Sequence, residues 1–593
     1  MILQELVRYY DRKAADPDPS RRLPAFGFVD KAIPFVIEIA PDGRVIQLID
    51  TRAPDSGTGK PRAQSFLVPR GVKKTSQVAA NLLWDSAEYV IGLDRGRVNQ
   101  SPSPPGAFRA RIEKLPAPAN ADDGIVAVLQ ALQRADWSAV HRHPAWREIT
   151  ETNPLMAFRL VGDLDLICQR PAVAAAVASA DGDDDGDPAP ILPCLVDGTP
   201  QPVERLHDPI KGVWNAQSSG ANIVSFNAPA FESYGNTNRQ GENAPVGRRA
   251  AFAYTTALNH LLARNSRNRT QVGDASTVFW ADRPSRFDSD DLTLADLFGE
   301  PRDDPDRGVR AVQALYDALS TGQLPVGERD VRFFVLGLAP NAARISIRFW
   351  MAAPFADLAP RIIRHFDDLK VVRRFDTDVA APSLFRLLSG VALKGKAENA
   401  PPRLAGEWMR SILEGRPYPA ALLNAAVARC KAEQDVTYLR AAAIKGWLNR
   451  DFRATHPDMP SDYGHFKETL DMEQSDAPYR LGRLFATLER VQQQAQPGIN
   501  ATIRDRYYGA ASTTPVAVFP TLIRLKNAHL KKLTDGQVAW FERTIGEIVQ
   551  DLTEFPKHLS LVQQGRFALG YYHQRQSFFV RKDAGHLAHD TEN

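Results

Sequence analysis

The chain has 593 residues, 44% of them hydrophobic and 24% charged, with a formal net charge of +3. That length exceeds a single hydrophobic core and calls for roughly two to four domains, and the near-neutral balance excludes a protein coated in positive charge while leaving room for local basic tracks. No apolar run reaches the ~18 residues of a membrane helix, and the scattered Cys168, Cys194 and Cys430 exclude a disulfide framework or a cysteine zinc site and fit a reducing cytoplasm.

The N-terminus, MILQELVRYYDRKA, reads as an amphipathic helix without the apolar core or small-residue cleavage site of an export signal. Pro34–Ile39 and Val45–Ile49 flank Asp42-Gly43, which predicts a hairpin. Residues 69–74 (PRGVKK) form a short basic loop, with Lys73 and Lys74 placed to meet a nucleic-acid backbone. Helical spacing follows over 75–93, with Thr75 or Ser76 as N-cap and Trp84 read as core. Residues 181–190 (DGDDDGDPAP) predict an acidic linker or loop that phosphates would repel. Residues 331–336 and 344–350 read as a strand pair followed by a helix from Leu358, an order compatible with a ferredoxin-like element. From about Ser383 helical periodicity dominates, broken at Gly415-Arg416-Pro417 and Pro497-Gly498. The fold class is therefore α+β: an N-terminal α/β region over 1–180, the acidic stretch 181–190, a second α/β region over 191–380, and a helical bundle over 383–593.

Residues 215–246 read NAQSSGANIVSFNAPAFESYGNTNRQGENAPV, a polar stretch in which only Ile223–Phe226 has strand character. Its amides present a donor and an acceptor together, which suits reading base edges or wedging between base pairs. Ordinary loop capping is the competing explanation. Gln217, ahead of a flexible Ser218-Ser219-Gly220, is the wedge candidate; Asn222, Asn227, Asn238, Gln240 and Asn243 are candidates for base edges. An arginine track follows, Arg239, Arg248, Arg249, Arg264, Arg267 and Arg269 against Glu242 alone, suited to phosphate contact. A second track combines Arg504, Arg506, Arg524, Lys526, Lys531 and Lys532, against Asp505 alone, with Tyr507 and Tyr508, a pattern that suits a single strand. Solvated helix faces are the alternative for both.

Enzyme motifs are missing. Residues 57–60 (GTGK) lack the first Gly and the final Ser/Thr of a phosphate loop, and His207-Asp208 and His589-Asp590 are bare dipeptides without further ligands. No catalytic residue, metal ligand or cofactor is assigned. The open alternatives are a stand-alone nuclease or helicase-associated enzyme and a protein-only scaffold.

Four segments carry a family resemblance: MILQELVRYYDR at the start; IPFVIEI leading to FLVPRGVKKTSQVAANLLWDSAEYVIGL; AQSSGANIVSFNAPAFESYG with NAPVG; and YRLGRLFATLERVQ with GINATIRDRYYGAASTTPVAVFPTLIRL. In order, and over nearly the whole chain, they resemble the large subunit of the type I-C CRISPR surveillance complex, Cascade; the stretch 181–187 and the tail after about Lys582 fall outside the likeness. The resemblance implies a non-enzymatic antiviral-defence subunit at the guide RNA 5′ end. Such a subunit recognises the protospacer-adjacent motif (PAM) in target double-stranded DNA, promotes opening and R-loop formation, contacts backbone subunits and the displaced strand, and helps recruit a helicase–nuclease. A comparable division of labour holds in Cas9, a different system. It also implies a small subunit translated from within the same gene. The polar segment 464–476 marks the place, and Met472 is the start candidate, preceded by Lys467-Glu468, which AAG-GAG can encode as a ribosome-binding sequence; Met459 is the alternative start. Residues 472–593 are then small-subunit-like, helical from Pro478 and able to bury a core of their own.

Overall fold

The computed structural model describes residues 1–54, 61–72, 78–96, 102–179, 189–233, 235–236, 239–285, 293–299, 307–320, 329–401, 403–460 and 463–579. The expectations for Lys73, Lys74, Thr75, Ser76, Asn238, the acidic stretch 181–187 and the tail after Lys582 lie outside these residues. Two compact units emerge, Met1–Asp208 with Val224–Leu258, and Pro209–Ile223 with Asn259–Asn593.

The first unit contains α1 (Ile2–Ala14), β1 (Phe28–Ala32), β2 (Phe35–Ile39), β3 (Val45–Asp50), β4 (Ser65–Pro69), β5 (Trp84–Ser86), α2 (Pro104–Glu113), α3 (Asp123–Arg134) and β6 (Leu155–Leu160). It also holds most of α4 (Arg248–Leu261). The apolar run of β2 is buried along its length because it lies inside a four-stranded sheet ordered β3-β2-β6-β5, with β2 and β6 parallel. Its one charged residue, Glu38, accepts from Gln47 Nε2 at 2.7 Å and Arg159 Nη2 at 2.9 Å, which holds its carboxyl below the usual range. The Asp42-Gly43 hairpin forms as the sequence predicts. Gly43 has φ +78°, and a Cβ there would sit 2.6 Å from Gln130 Cβ on α3.

The helix expected over 75–93 is not what the described residues form. Leu83 has φ +63°, Trp84–Ser86 pairs antiparallel with β6, and only Ala87–Val90 is helical. The Asn81 N–H donates to Asp85 Oδ2 at 2.8 Å and Asn81 Oδ1 accepts from the Val72 N–H at 3.0 Å. These local bonds compete with a helical ladder, which periodicity alone does not register. Trp84 is buried as core, its Nε1 donating to the Pro69 carbonyl.

In the second unit β7 (Arg269–Val272), β8 (Ala275–Ala281), β9 (Arg332–Asn341) and β10 (Arg344–Pro354) form an antiparallel meander in chain order. The expected strand pair and helix are present as β9, β10 and α5 (Phe355–Leu369). The strand order is not ferredoxin-like: every neighbour in the sheet is antiparallel and adjacent in sequence among the strands.

All regular structure described after Leu384 is helical. Its main members are α6 (Leu404–Glu414), α7 (Ala420–Glu433), α8 (Tyr438–Thr455), α9 (Ala477–Ala495), α10 (Ile503–Ala511), α11 (Pro515–Leu530), α12 (Asp535–Val549) and α13 (Leu561–Ser577). Gly415 at φ +71° ends α6, and Gly498 at φ +81° follows α9, at the two breaks read from sequence. The backbones of α9 and α13 touch through reciprocal glycines. A Cβ on Gly482 would lie 2.0 Å from the Phe567 carbonyl oxygen, and one on Gly570 2.0 Å from that of Tyr479. The last helices share their core with the preceding ones: a Cβ on Gly565 of α13 would meet Leu423 of α7 at 2.9 Å, and the Tyr572 hydroxyl donates to the Val372 carbonyl at 2.6 Å.

Candidate nucleic-acid interface

Residues Ile210–Ala221 form a loop with a closed neck. Ile210 and Ala221 are buried and exchange two backbone hydrogen bonds of 2.9 and 3.0 Å. Above the neck, the Ala216 N–H donates to the Val213 carbonyl and the Gly220 N–H to the Gln217 carbonyl, giving two consecutive turns. Gly212 (φ +82°), Asn215 (φ +58°) and Gly220 (φ +96°) supply the left-handed backbone these turns need. Three bonds anchor the loop to its own unit: the Lys211 N–H to Asn259 Oδ1 (2.8 Å), Asn259 Nδ2 to the Pro209 carbonyl (3.2 Å), and the Trp214 backbone N–H to Ser276 Oγ (2.9 Å). The result is a fixed support that leaves Lys211, Trp214, Asn215, Gln217, Ser218 and Ser219 exposed. Residues 209–223 contain no Asp or Glu.

Asn222 closes this stretch, accepting at its carbonyl from the Ile345 N–H. The strand expected over Ile223–Phe226 does not form. Only isolated bridges occur, at Ala221 and Asn222, and residues 223–226 are half-buried without a partner strand.

Asn227, Gln240 and Asn243 belong to the other unit, so the polar stretch read as one site is divided between two bodies. Asn227 is exposed. Gln240 Oε1 accepts from Arg205 Nη1 at 3.0 Å. Asn243 closes its own loop: Oδ1 accepts from the Ser233 N–H, while Nδ2 donates to the carbonyls of Asn236 and Gln240.

The first arginine track also separates. In the first unit Arg239 pairs with Glu242 at 3.5 Å, Arg248 is half-buried, and Arg249 reaches Asp11 at 3.3 Å. In the second, Arg264 and Arg267 are exposed on the segment leaving α4. Arg269 caps that helix end, its Nη1 donating to the Leu262 and Ala263 carbonyls, and burial lowers its pKa.

In the C-terminal track Arg504 is held by carboxylates, at 3.5 Å from Asp435, 3.6 Å from Asp505 and 3.8 Å from buried Glu489, and Lys526 donates to Glu542 at 2.8 Å. Arg506, Arg524, Lys531 and Lys532 are exposed and Tyr507 is half-buried, whereas Tyr508 is buried in the helical core and cannot meet a base. Met472 is exposed at the surface, its Sδ accepting from Arg483 Nη2. His207 and Asp208 have separate partners, the Tyr254 hydroxyl at 2.6 Å and Arg70 Nη2 at 2.6 Å. Among the described residues no cluster of three His, Cys, Asp or Glu could hold a metal ion, and no helix is long and apolar enough to cross a membrane.

Sequence reading missed Trp214 and Lys211. The polar composition begins at Asn215, whereas the loop starts at the neck; the flanking Gly212 is the signal that it extends further back.

Among curated proteins none matches the chain in sequence. The family described as CRISPR-associated protein (Cas_Csd1) matches residues 6–579. A match of that extent, over both units, makes the chain a member of the CRISPR-associated Csd1 family, consistent with the large subunit of a type I-C Cascade.

Proposed function

We propose that this Cascade subunit reads the protospacer-adjacent motif in target duplex DNA and starts strand opening with the Ile210–Ala221 loop. The observation that carries this is the closed neck: it presents Gln217 on a fixed backbone whose residues 209–223 carry no carboxylate, so the loop itself needs no ordering at each encounter with a duplex. Arg264 and Arg267 supply phosphate contacts beside the unit's own Leu262, against which Gly212 packs. The exposed Arg506, Arg524, Lys531 and Lys532 serve the displaced strand. The subunit acts without catalysis of its own, in the cytoplasm, beside the guide RNA 5′ end and the backbone subunits, and a recruited helicase–nuclease does the cutting. A small subunit starting at Met472 joins it.

Replacing Gln217 with Ala in the assembled complex tests the reading. Binding to a duplex target weakens while a pre-opened bubble target is still bound; equal loss on both would make Gln217 a structural residue. For the internal start, recoding 467–468 to AAA-GAA together with Met472→Leu removes the short product and keeps the full-length chain. A short chain persisting after both edits contradicts that start.

A further inference from the structure

We propose that Trp214 is a stacking platform for an unpaired nucleobase at the point of strand opening, a role that rests on the reading of the Gln217 loop. Trp214 is 45% exposed. The other exposed tryptophan, Trp540, is 47% exposed but packs edge-on against Phe541 and Phe578, whereas the Trp214 indole has no ring contact among the described residues.

An apolar ring left open on a mobile loop would carry little meaning, but this one is built in. Its backbone N–H is fixed to Ser276 Oγ, and Val213 beside it is buried. Gly212, two residues earlier, has φ +82°, and a Cβ there would lie 2.5 Å from the Leu262 carbonyl oxygen, so only glycine lets the loop sit this close to the end of α4. The indole is therefore held out by the same support that holds Gln217.

Its surroundings select the ligand. A tryptophan anchoring a protein contact and one stacking a base both present a flat apolar face. Here the face is accompanied by Lys211, by the amides of Asn215 and Gln217, by two serine hydroxyls, and by no carboxylate within 209–223; Arg264 and Arg267 follow Leu262. A π-face beside amides and cations suits a base with its edge and phosphate. Gln217 and Trp214 then have complementary roles: the amide enters the duplex, and the indole receives a base that has lost its partner.

The probe is a single-stranded DNA oligonucleotide carrying 2-aminopurine, unrelated to any guide, titrated against the purified full chain. Wild type quenches the fluorophore on binding. Trp214→Ala loses the quench and on the order of tenfold in affinity, and Trp214→Phe retains most of both. Melting temperatures of both variants match wild type. Trp214→Ala binding and quenching like wild type overturns the proposal, as does normal single-strand binding with loss of a Cascade subunit from the assembled complex, which would make the indole a protein anchor. The single-strand titration needs no motif, so failure of the motif-reading role, seen as a Gln217→Ala complex that binds duplex and bubble as wild type does, is a separate outcome.

Discussion

In the turn after α4, Arg264 and Arg267 stand exposed beside a carboxylate-free loop, whereas in the C-terminal helices Arg504 and Lys526 are drawn into ion pairs with Asp435, Glu489 and Glu542. In sequence the two stretches look alike, basic and poor in acid. The difference lies in what tertiary structure brings to them. Asp435 just after α7, Glu489 of α9 and Glu542 of α12 meet the C-terminal cations, so part of that track stabilises the fold. The teaching is that a basic run becomes a nucleic-acid surface only after its long-range partners are subtracted.

Substitutions separate the residues that hold the fold from those that meet nucleic acid. The largest effect is expected at Gly482→Ala, where a methyl meets the Phe567 carbonyl and forces α9 from α13. Destabilisation at or above ~3 kcal/mol is expected, measured by chemical denaturation. Next, Arg504→Met leaves Glu489, which is buried and accepts from the Tyr571 hydroxyl at 2.6 Å, without its nearby cation. A loss of roughly 1–3 kcal/mol follows, while target affinity of the folded complex is unchanged; a selective loss of DNA affinity would move Arg504 to the interface. Asn243→Ala removes three bonds that close its loop and costs about 1 kcal/mol. It weakens duplex and bubble binding alike, whereas a duplex-only loss would make Asn243 a base reader. Smallest is Arg524→Gln with Lys531→Gln, which leaves the melting temperature in place and lowers single-strand affinity several-fold, with a shallower salt dependence.

What sequence could reveal follows the range of the interactions. The Asp42-Gly43 hairpin and the breaks at Gly415 and Gly498 were legible because backbone conformation at one or two residues determines them. The helix read over 75–93 was not, since Asn81 and Asp85 bond locally to backbone and Trp84–Ser86 finds β6 some seventy residues later. Apolar, β-branched Ile223–Phe226 met no partner, and strand character alone makes no strand. At the candidate site, the turn chemistry of Gln217–Gly220 was readable from Ser218-Ser219-Gly220. The neck between Ile210 and Ala221 was not, because it depends on pairing across the loop. Nor could charge counting reveal that Glu542, sixteen residues on, would bind Lys526.

The most direct measurement is the salt dependence of duplex-target affinity for assembled complexes carrying Arg264→Gln with Arg267→Gln, beside Arg504→Met. On a division in which Arg264 and Arg267 contact phosphate and Arg504 holds the fold, the first pair flattens the log–log slope by about two, for all target sequences alike, with no change in melting temperature, while Arg504→Met lowers the melting temperature and keeps the wild-type slope. An unchanged slope for the Arg264 and Arg267 pair, or a flattened one for Arg504→Met, would contradict it.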